Sequence, residues 1–323
     1  MLRLNTADPA HDLGYARTRA GRGFSYATPR GATPNRRDRA RIDALVLPPA
    51  WTDVWIARDP LAHIQAVGTD EAGRRQYRYH EAWSAGRAKK KFVRALALAE
   101  ALPRARGRVT TALRRPQLDR ERVLAVAFRL LDAGAPRVGS ARYLVRHGSR
   151  GLTTLKRSDA TVSGDTVTLS FRAKGGVQAH LEITDADLAR AVDELRRGRP
   201  SAQLLAYRKG GRRVGIDASD VNAHVCALTG GPFTAKDFRT LRGTVVAAMA
   251  LAVAATGCAA KPTKRERESC EREAVKAAAL ALGNTVAVAR SSYIDPRIFL
   301  RYTQGRLISE GRTPEAALRE LLA

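Results

Sequence analysis

The chain has 323 residues, a length that fits about two domains and is enough to bury a sizeable core. Its 57 Lys and Arg residues outnumber its 31 Asp and Glu residues, and the net charge of +26 attracts polyanions, so nucleic acid is the first candidate partner. The 3 cysteines are too few and too scattered for a disulfide framework or a zinc knuckle, and no signal peptide opens the chain, so the sequence excludes a secreted, disulfide-rich protein and predicts a cytoplasmic one.

The N-terminal part of the chain indicates a small domain that contains a β-sheet. Its opening residues are rich in Arg and Gly and carry turn signals, a pattern typical of short strands joined by loops. A brief helix is predicted over residues 36–45, and strands are predicted over residues 54–57 and 64–67.

The next predicted strand carries Gln-Tyr-Arg-Tyr at residues 76–79. Side chains alternate across a strand, so Tyr77 and Tyr79 share one face while Gln76 and Arg78 share the other. Aromatic rings interleaved with hydrogen-bond donors suit a nucleic-acid groove, and half-buried strand tyrosines are the alternative explanation.

A composition change near residue 90 predicts the boundary between two domains, residues 1–90 and 91–323. After it, residues 92–102 have a helical pattern that should end at Pro103, and a basic connector follows. A further amphipathic helix is predicted over residues 120–131.

A hairpin is predicted in the middle of the chain. Residues 151–155 resemble a strand, and residues 167–171 and 177–183 alternate between apolar and polar side chains. The last two runs should pair, with Lys174 on a mobile, glycine-flanked tip. An ordinary solvated lysine is the alternative interpretation of that position.

Beyond the hairpin the pattern is mostly helical. Cap signals at Thr234 and Thr263 predict two long helices, the first running toward Ala260 and the second ending at Gly283. The apolar run at residues 244–260 is 17 residues long, below the ~20 needed to cross a bilayer, which favours a buried core helix over a membrane span. The predicted fold class is α+β, with a small sheet-containing N-terminal domain and a larger, mainly α-helical domain that holds a small sheet or hairpin.

Five polar residues occur in an order that carries a family resemblance: Arg137, Lys174, Arg239, Asn284 and Tyr293. With the flanking blocks Pro-Arg-Val-Gly, Lys-Asp-Phe-Arg-Thr and Ser-Tyr-Ile-Asp-Pro-Arg, the chain resembles the compact type IB DNA topoisomerases of bacteria and poxviruses. These enzymes share a catalytic fold with tyrosine recombinases. The resemblance extends over residues 14–305.

The resemblance implies a role for each of the five. Arg137 and Arg239 would clamp the non-bridging oxygens of a phosphodiester, and Asn284 would donate a further hydrogen bond to one of them. Lys174 would protonate the departing 5′ oxygen, and Tyr293 would form a 3′-phosphotyrosyl bond. Strand swivelling and resealing would follow, and this chemistry calls for no ATP, cofactor or metal.

The resemblance also implies DNA contacts outside this group of five. Gln76, Tyr77, Tyr79 and Tyr143 match positions that touch double-stranded DNA in relatives. Some relatives have a basic residue three positions after the first arginine, where this chain has Ser140, so a direct base contact there is not expected. The small domain would close over the duplex, and the protein is expected to act as a nucleoid-associated monomer away from membranes.

Two alternatives use the same sequence features. A site-specific tyrosine recombinase would share the chemistry. Such enzymes usually carry His at the position occupied here by Lys236, and His or Trp at the position occupied here by Asn284. A non-catalytic basic DNA-binding protein would explain the charge alone. The filled catalytic positions argue against a binder. Lys236, Asn284 and the Trp-Thr-Asp-Val-Trp segment at residues 51–55 favour a topoisomerase over a recombinase.

Overall fold

The computed structural model describes residues 2–258 and 262–323. The chain divides into two compact units, Met1–Lys90 and Lys91–Ala323. The smaller unit contains helix α1 (Arg36–Ala44) and strands β1 (Gly14–Ala20), β2 (Gly23–Ala27), β3 (Thr52–Ala57), β4 (Ile64–Thr69) and β5 (Arg75–Tyr79).

The five strands of the smaller unit form one antiparallel sheet in the order β2-β1-β3-β4-β5. Alternate side chains of β1 and β3 point to the same side as α1, and they make a small core with it. Tyr15, Ile42 and Ile56 are buried in that core, and the Tyr15 hydroxyl donates to Asp38 of α1 at 2.7 Å. The predicted helix and strands of this region are confirmed.

Helix α2 (Glu81–Leu113) is longer than predicted, and the expected end at Pro103 is wrong. The basic segment after Pro103, interpreted as a connector, is also helical. The side chains of Leu98, Leu102, Ala105 and Val109 make one fully buried stripe that continues through the proline. A proline inside a helix costs roughly 3 kcal/mol, whereas each large apolar side chain gains roughly 1.5–3 kcal/mol on burial, so packing outweighs the break.

The larger unit is mainly helical. Its helices after α2 are α3 (Arg120–Gly134), α4 (Ala141–His147), α5 (Ala186–Arg196), α6 (Ala218–Thr229), α7 (Ala235–Thr256), α8 (Lys264–Leu282), α9 (Val286–Ser292), α10 (Arg297–Thr303) and α11 (Pro314–Leu322). Its strands are β6 (Ala160–Ser163), β7 (Thr166–Arg172), β8 (Gln178–Thr184), β9 (Ala206–Lys209) and β10 (Arg212–Gly215). The α+β fold class is confirmed, while α4, α9, α10, α11, β6 and the β9–β10 ribbon were not predicted.

The predicted hairpin is confirmed as β7 and β8, which pair antiparallel from Thr166 opposite Thr184 to Arg172 opposite Gln178. The tip is a short 3-10 turn at Lys174–Gly176. Gly175 and Gly176 have φ values of 80° and 76°, which side chains with a Cβ rarely adopt. Two consecutive glycines therefore allow the tight turn that exposes Lys174.

The strand predicted over residues 151–155 is wrong, because Leu152–Thr154 form a 3-10 helix. The Leu152 N–H donates to the Arg137 carbonyl at 2.8 Å rather than to a neighbouring strand. Gly151 lies so close to the preceding segment that a Cβ would lie 2.5 Å from that carbonyl and 2.6 Å from the Gly139 nitrogen. This contact fixes the backbone that carries Arg137.

The two predicted cap signals are confirmed at the starts of α7 and α8. The Thr234 N–H donates to Asp237 at 2.8 Å, and the Thr263 N–H donates to Glu266 at 2.7 Å. Gly283 ends α8 in the left-handed region, with φ 57°. The last two residues of the predicted first helix, 259 and 260, lie outside the described residues.

Helix α7 is long and apolar enough to cross a bilayer, and within the described ranges no other helix is. Its apolar 18-residue window is 56% buried inside the protein. The helix packs along α8 and also contacts α3, and its buried residues extend from Ala235 to Leu251. This packing agrees with the predicted core helix.

Candidate active site

All five residues predicted to be catalytic line one cavity of about 800 Å³ in the larger unit. The cavity lies between the end of α3, the β7–β8 tip, the start of α7 and the connection from α8 to α9. Its walls include Arg137, Lys174, Arg239, Asn284 and Tyr293. Residues that are up to 156 positions apart in sequence, from Arg137 to Tyr293, are thus brought together.

Arg239 projects from the second turn of α7 and is only 5% exposed. Its two terminal nitrogens donate to the Ala135 carbonyl at 2.7 Å and to the Leu282 carbonyl at 2.8 Å. These are carbonyls at the ends of α3 and α8, so one guanidinium joins three helices. Burial first, and then the charge of Arg137, lower the pKa of Arg239, while Tyr293 opposes the shift. The group nevertheless keeps its charge, as arginine does in proteins.

Arg137 is half-buried and contacts the segment that follows α8. Its Nη2 donates to Oδ1 of Asn284, and the guanidinium also reaches the Gly283 carbonyl at 3.5 Å. The arginine side chain has hydrogen-bond donors and no acceptor, so the oxygen of the Asn284 amide must face it. The Asn284 Nδ2 then points away; it is buried and has no hydrogen-bond partner among the described residues. A buried donor without a partner is costly and suits an anionic ligand.

Tyr293 follows the last residue of α9, and its ring centroid lies 5.1 Å from the Arg239 guanidinium carbon. The backbone on either side is held by side chains. The Thr244 hydroxyl lies 3.2 Å from the Tyr293 carbonyl and accepts from the Asp295 N–H at 3.1 Å. The Lys91 ammonium donates to the Ser292 carbonyl at 2.8 Å. Tyr293 therefore has a fixed backbone, although it lies in a connector between short helices.

Lys174 is exposed at the hairpin tip, at the rim of the cavity. Its Nζ lies 5.8 Å from the ring centroid of Tyr143, which is on α4. The Tyr143 ring in turn lies 4.5 Å from the His147 ring. One of the four predicted DNA-contacting residues is therefore a neighbour of the predicted general acid.

The other three predicted DNA-contacting residues are on β5 in the smaller unit. The rings of Tyr77 and Tyr79 are stacked, with centroids 5.9 Å apart and planes 15° apart, so the predicted shared face is confirmed. Tyr77 is 43% exposed. The Gln76 amide donates to Asp70 at 2.8 Å on the other side of the strand. The two tyrosines form a partly exposed aromatic surface.

Sequence reasoning missed several residues around the cavity. Thr244 and Lys91 hold the backbone beside Tyr293, and a hydroxyl inside the apolar run of α7 was the available signal for Thr244. Arg150 lines the cavity and pairs with Asp159 at 2.8 Å, and His180 lines it from β8. Nothing in the sequence distinguished Lys91, Arg150 or His180 from other charged residues.

Among residues 2–258 and 262–323, no group of three or more His, Cys, Asp or Glu side chains lies close enough together to hold a metal ion. The charged residues that line the cavity are cations: Arg137, Arg150, Lys174 and Arg239. Such a cavity would attract a phosphodiester through its negative oxygens.

A family model of the catalytic core of eukaryotic DNA topoisomerase I matches residues 81–301. A second family model, of the N-terminal domain of bacterial DNA topoisomerase IB, matches residues 23–70. DNA topoisomerase 1B of Acanthamoeba polyphaga mimivirus is 30% identical over 265 residues, which cover 80% of this chain and 78% of that protein. Among solved structures, the XerH site-specific recombinase bound to difH substrate in a pre-cleavage complex aligns with a TM-score of 0.34 and 10% identity, over 61% of this chain and 51% of that one.

Proposed function

Because this chain belongs to the type IB DNA topoisomerases, we propose that it relaxes supercoiled DNA by cutting one strand through a 3′-phosphotyrosyl intermediate at Tyr293. The cut strand swivels about its partner, and the 5′ hydroxyl then reverses the attack and reseals the break. The observation that carries the proposal is the convergence of five side chains on one cationic cavity.

The arginines and the amide bind the scissile phosphate. Burial first, and then the charge of the neighbouring Arg137, lower the pKa of Arg239, so the two guanidiniums repel each other. A phosphate between them removes that repulsion, and more so in the transition state, where negative charge on the non-bridging oxygens grows. The Nδ2 of Asn284, which has no partner in the part of the chain that the structure describes, supplies a further donor to the same oxygens. Binding is therefore strongest at the transition state, which is the requirement for catalysis.

Tyr293 is the nucleophile. Its ring lies beside the Arg239 guanidinium, so the phenol is next to a group that binds the scissile phosphate. The phenolic proton passes to water, the phenolate oxygen bonds to phosphorus, and the bond from phosphorus to the 5′ oxygen breaks. The phosphotyrosyl ester conserves the energy of the broken phosphodiester, so resealing needs no ATP.

Lys174 donates a proton to the departing 5′ oxygen. An alkoxide is a poor leaving group, and a general acid at this position contributes about 10²–10⁴-fold. Lys174 is on a glycine-flanked tip at the cavity rim, and this tip can move toward the bound phosphate. Resealing reverses the transfer, because the amine then accepts the proton of the attacking 5′ hydroxyl.

The proposed role of Lys174 as general acid predicts that a substrate with a better leaving group restores cleavage to a variant without the lysine. Lys174→Ala should slow single-turnover cleavage by about 10²-fold or more. A substrate with sulfur in place of the bridging 5′ oxygen should restore most of that loss, because a thiolate (thiol pKa ~8.5) leaves without protonation. Lys209→Ala, which removes an exposed lysine from the β9–β10 ribbon, is the matched control and should cleave both substrates at parental rates. A loss of equal size on both substrates would assign Lys174 to binding instead.

The smaller unit clamps the duplex, with Gln76, Tyr77 and Tyr79 as contacts, and Tyr143 adds a contact beside the cavity. Stacked, partly exposed rings suit packing against sugars and bases, while the excess of arginines supplies phosphate contacts. The enzyme acts as a monomer on nucleoid DNA in the cytoplasm. Its affinity for a plain duplex should fall steeply as salt rises.

The contact between Gly243 and Tyr293 predicts a loss of activity from one added methyl group. A Cβ at Gly243 would lie 2.7 Å from the Tyr293 carbonyl oxygen and 3.0 Å from its Cβ, so Gly243→Ala must displace the nucleophile. A misplacement of ~1 Å costs about 10²-fold in rate. Gly107→Ala is the control, because apart from the chain neighbours and the local backbone of its own helix, no atom of the described residues lies within 4 Å of its added Cβ. It should raise stability by about 0.5–1 kcal/mol and leave relaxation unchanged. Parental relaxation by Gly243→Ala would contradict the placement of Tyr293.

Relaxation of a negatively supercoiled plasmid in EDTA and without ATP tests the proposed function as a whole. We expect a ladder of topoisomers that proceeds to the fully relaxed form. Failure to relax the plasmid unless ATP or Mg²⁺ is added would overturn the proposed mechanism.

A further inference from the structure

Two of the three cysteines, scattered in the sequence, meet in the fold. Cys258 follows the end of α7, and Cys270 lies on α8, twelve positions later. Their sulfur atoms are 3.3 Å apart. Both sulfurs also lie near the Ala254 carbonyl, at 3.7 Å for Cys258 and 3.5 Å for Cys270. The fold therefore brings together two thiols that are separated in the sequence.

We propose that Cys258 and Cys270 form a reversible disulfide, a modification site that joins the end of α7 to α8 when the protein meets a low-molecular-weight disulfide. A disulfide needs a sulfur separation of about 2.05 Å. The sulfurs must therefore approach by about 1.2 Å for the bridge to form. The two residues are in different helices, so the bridge would restrain tertiary structure.

The reaction proceeds by two exchange steps. The thiolate of Cys258, which is half-exposed, attacks one sulfur of the small disulfide and releases one small thiolate. Cys270, which is 5% exposed, then loses its proton to water and attacks the Cys258 sulfur. The second small thiolate leaves, so two protein thiols are oxidised and one small disulfide is reduced to two thiols.

Reaction at this site should be slow at neutral pH. Hydrogen bonding with the Cys270 thiol, followed by partial burial, raises the pKa of Cys258 above its ordinary value. The thiolate is the nucleophile, so its small fraction limits the first step. The rate of bridge formation should rise about tenfold per pH unit until pH reaches that raised pKa.

The bridge should stabilise the fold without affecting the cavity. A cross-link removes conformations from the unfolded chain and so raises the melting temperature. Arg239 precedes Cys258 by 19 positions, and Asn284 follows Cys270 by 14. At ~1.5 Å per helical residue, the bridge is about 20 Å or more along either helix from Arg239 and Asn284. Relaxation by the oxidised protein should therefore stay within about twofold of the reduced protein.

The test uses the full chain incubated with oxidised glutathione at pH 8.5 and then denatured for thiol counting with a chromogenic reagent. We expect the count to fall from three to one, the mass to fall by two hydrogens, and a peptide pair joined through Cys258 and Cys270 to be recovered. The melting temperature should rise by about 5 °C or more and return after reduction. The inference concerns stability and does not depend on the proposed enzymatic function.

Two variants make this test specific. Cys226→Ser, at an exposed position on α6, should lose both remaining thiols and show the same rise in melting temperature. Cys258→Ser changes a half-exposed residue, should fold, and should show neither the mass loss nor the rise. The proposal is overturned by three persistent thiols, by a stable glutathione adduct on Cys258, or by an oxidised chain that melts no higher than the reduced one.

Discussion

Tyr293→Phe should abolish plasmid relaxation, with a loss of at least ~10⁴-fold, because the variant keeps the ring and lacks the attacking oxygen. The ring beside the Arg239 guanidinium and the backbone contacts of Tyr293 with Thr244 do not involve the hydroxyl. The melting temperature and the affinity for duplex DNA should therefore stay near parental values. A relaxation assay and a filter-binding measurement on the same preparation separate chemistry from binding.

Tyr207→Phe is the matched control, because it removes one hydroxyl from β9, outside the cavity lining. It should relax plasmid at the parental rate. Relaxation by Tyr293→Phe at more than about a hundredth of the parental rate would mean that another group attacks phosphorus.

Arg239→Ala should lower single-turnover cleavage by about 10³-fold or more, because it removes both transition-state charge and donors. Arg239→Lys should recover little of that loss. An ammonium is a point charge and cannot bond the Ala135 and Leu282 carbonyls and a phosphate oxygen with the planar fork that a guanidinium supplies.

The alanine variant should also be less stable, by about 1–3 kcal/mol for each buried carbonyl that loses its partner. Activity must therefore be compared at a temperature where thermal denaturation shows the variant to be folded. Arg242→Ala removes an exposed arginine from the next turn of the same helix and should cleave at the parental rate. Cleavage by folded Arg239→Ala within tenfold of the parent would exclude Arg239 from the chemistry.

Much of the fold could be predicted because its signals are local. The cap residues Thr234 and Thr263 and the alternating pattern of β7 and β8 each act within a few residues, and they fixed the element boundaries closely. The errors arose where distant contacts outweigh local preference. A buried apolar stripe keeps α2 helical through Pro103. The Leu152 N–H, next to Gly151, donates to the Arg137 carbonyl instead of to a neighbouring strand.

The candidate site likewise has features that local sequence signals predict and features that depend on distant contacts. Motif order identified the five residues that line the cavity, but no spacing rule could place Arg137 against Asn284, 147 positions later. The residues that hold Tyr293 in place, Thr244 and Lys91, were missed because their role depends on backbone carbonyls that only the fold brings near. The cysteine pair was missed for the same reason, since two thiols twelve positions apart meet only after α7 and α8 pack together.

The most direct test of the central claim is to trap the covalent intermediate. A duplex with a nick just downstream of the cleavage site releases a short 5′-hydroxyl fragment, so resealing fails and the enzyme stays attached. In EDTA and without ATP, mass spectrometry of the digested complex should find the peptide containing Tyr293 linked to a nucleotide through its 3′ phosphate. A DNA end joined through a 5′ phosphate, an adduct on another residue, or an adduct that forms only with Mg²⁺ would contradict the proposed mechanism.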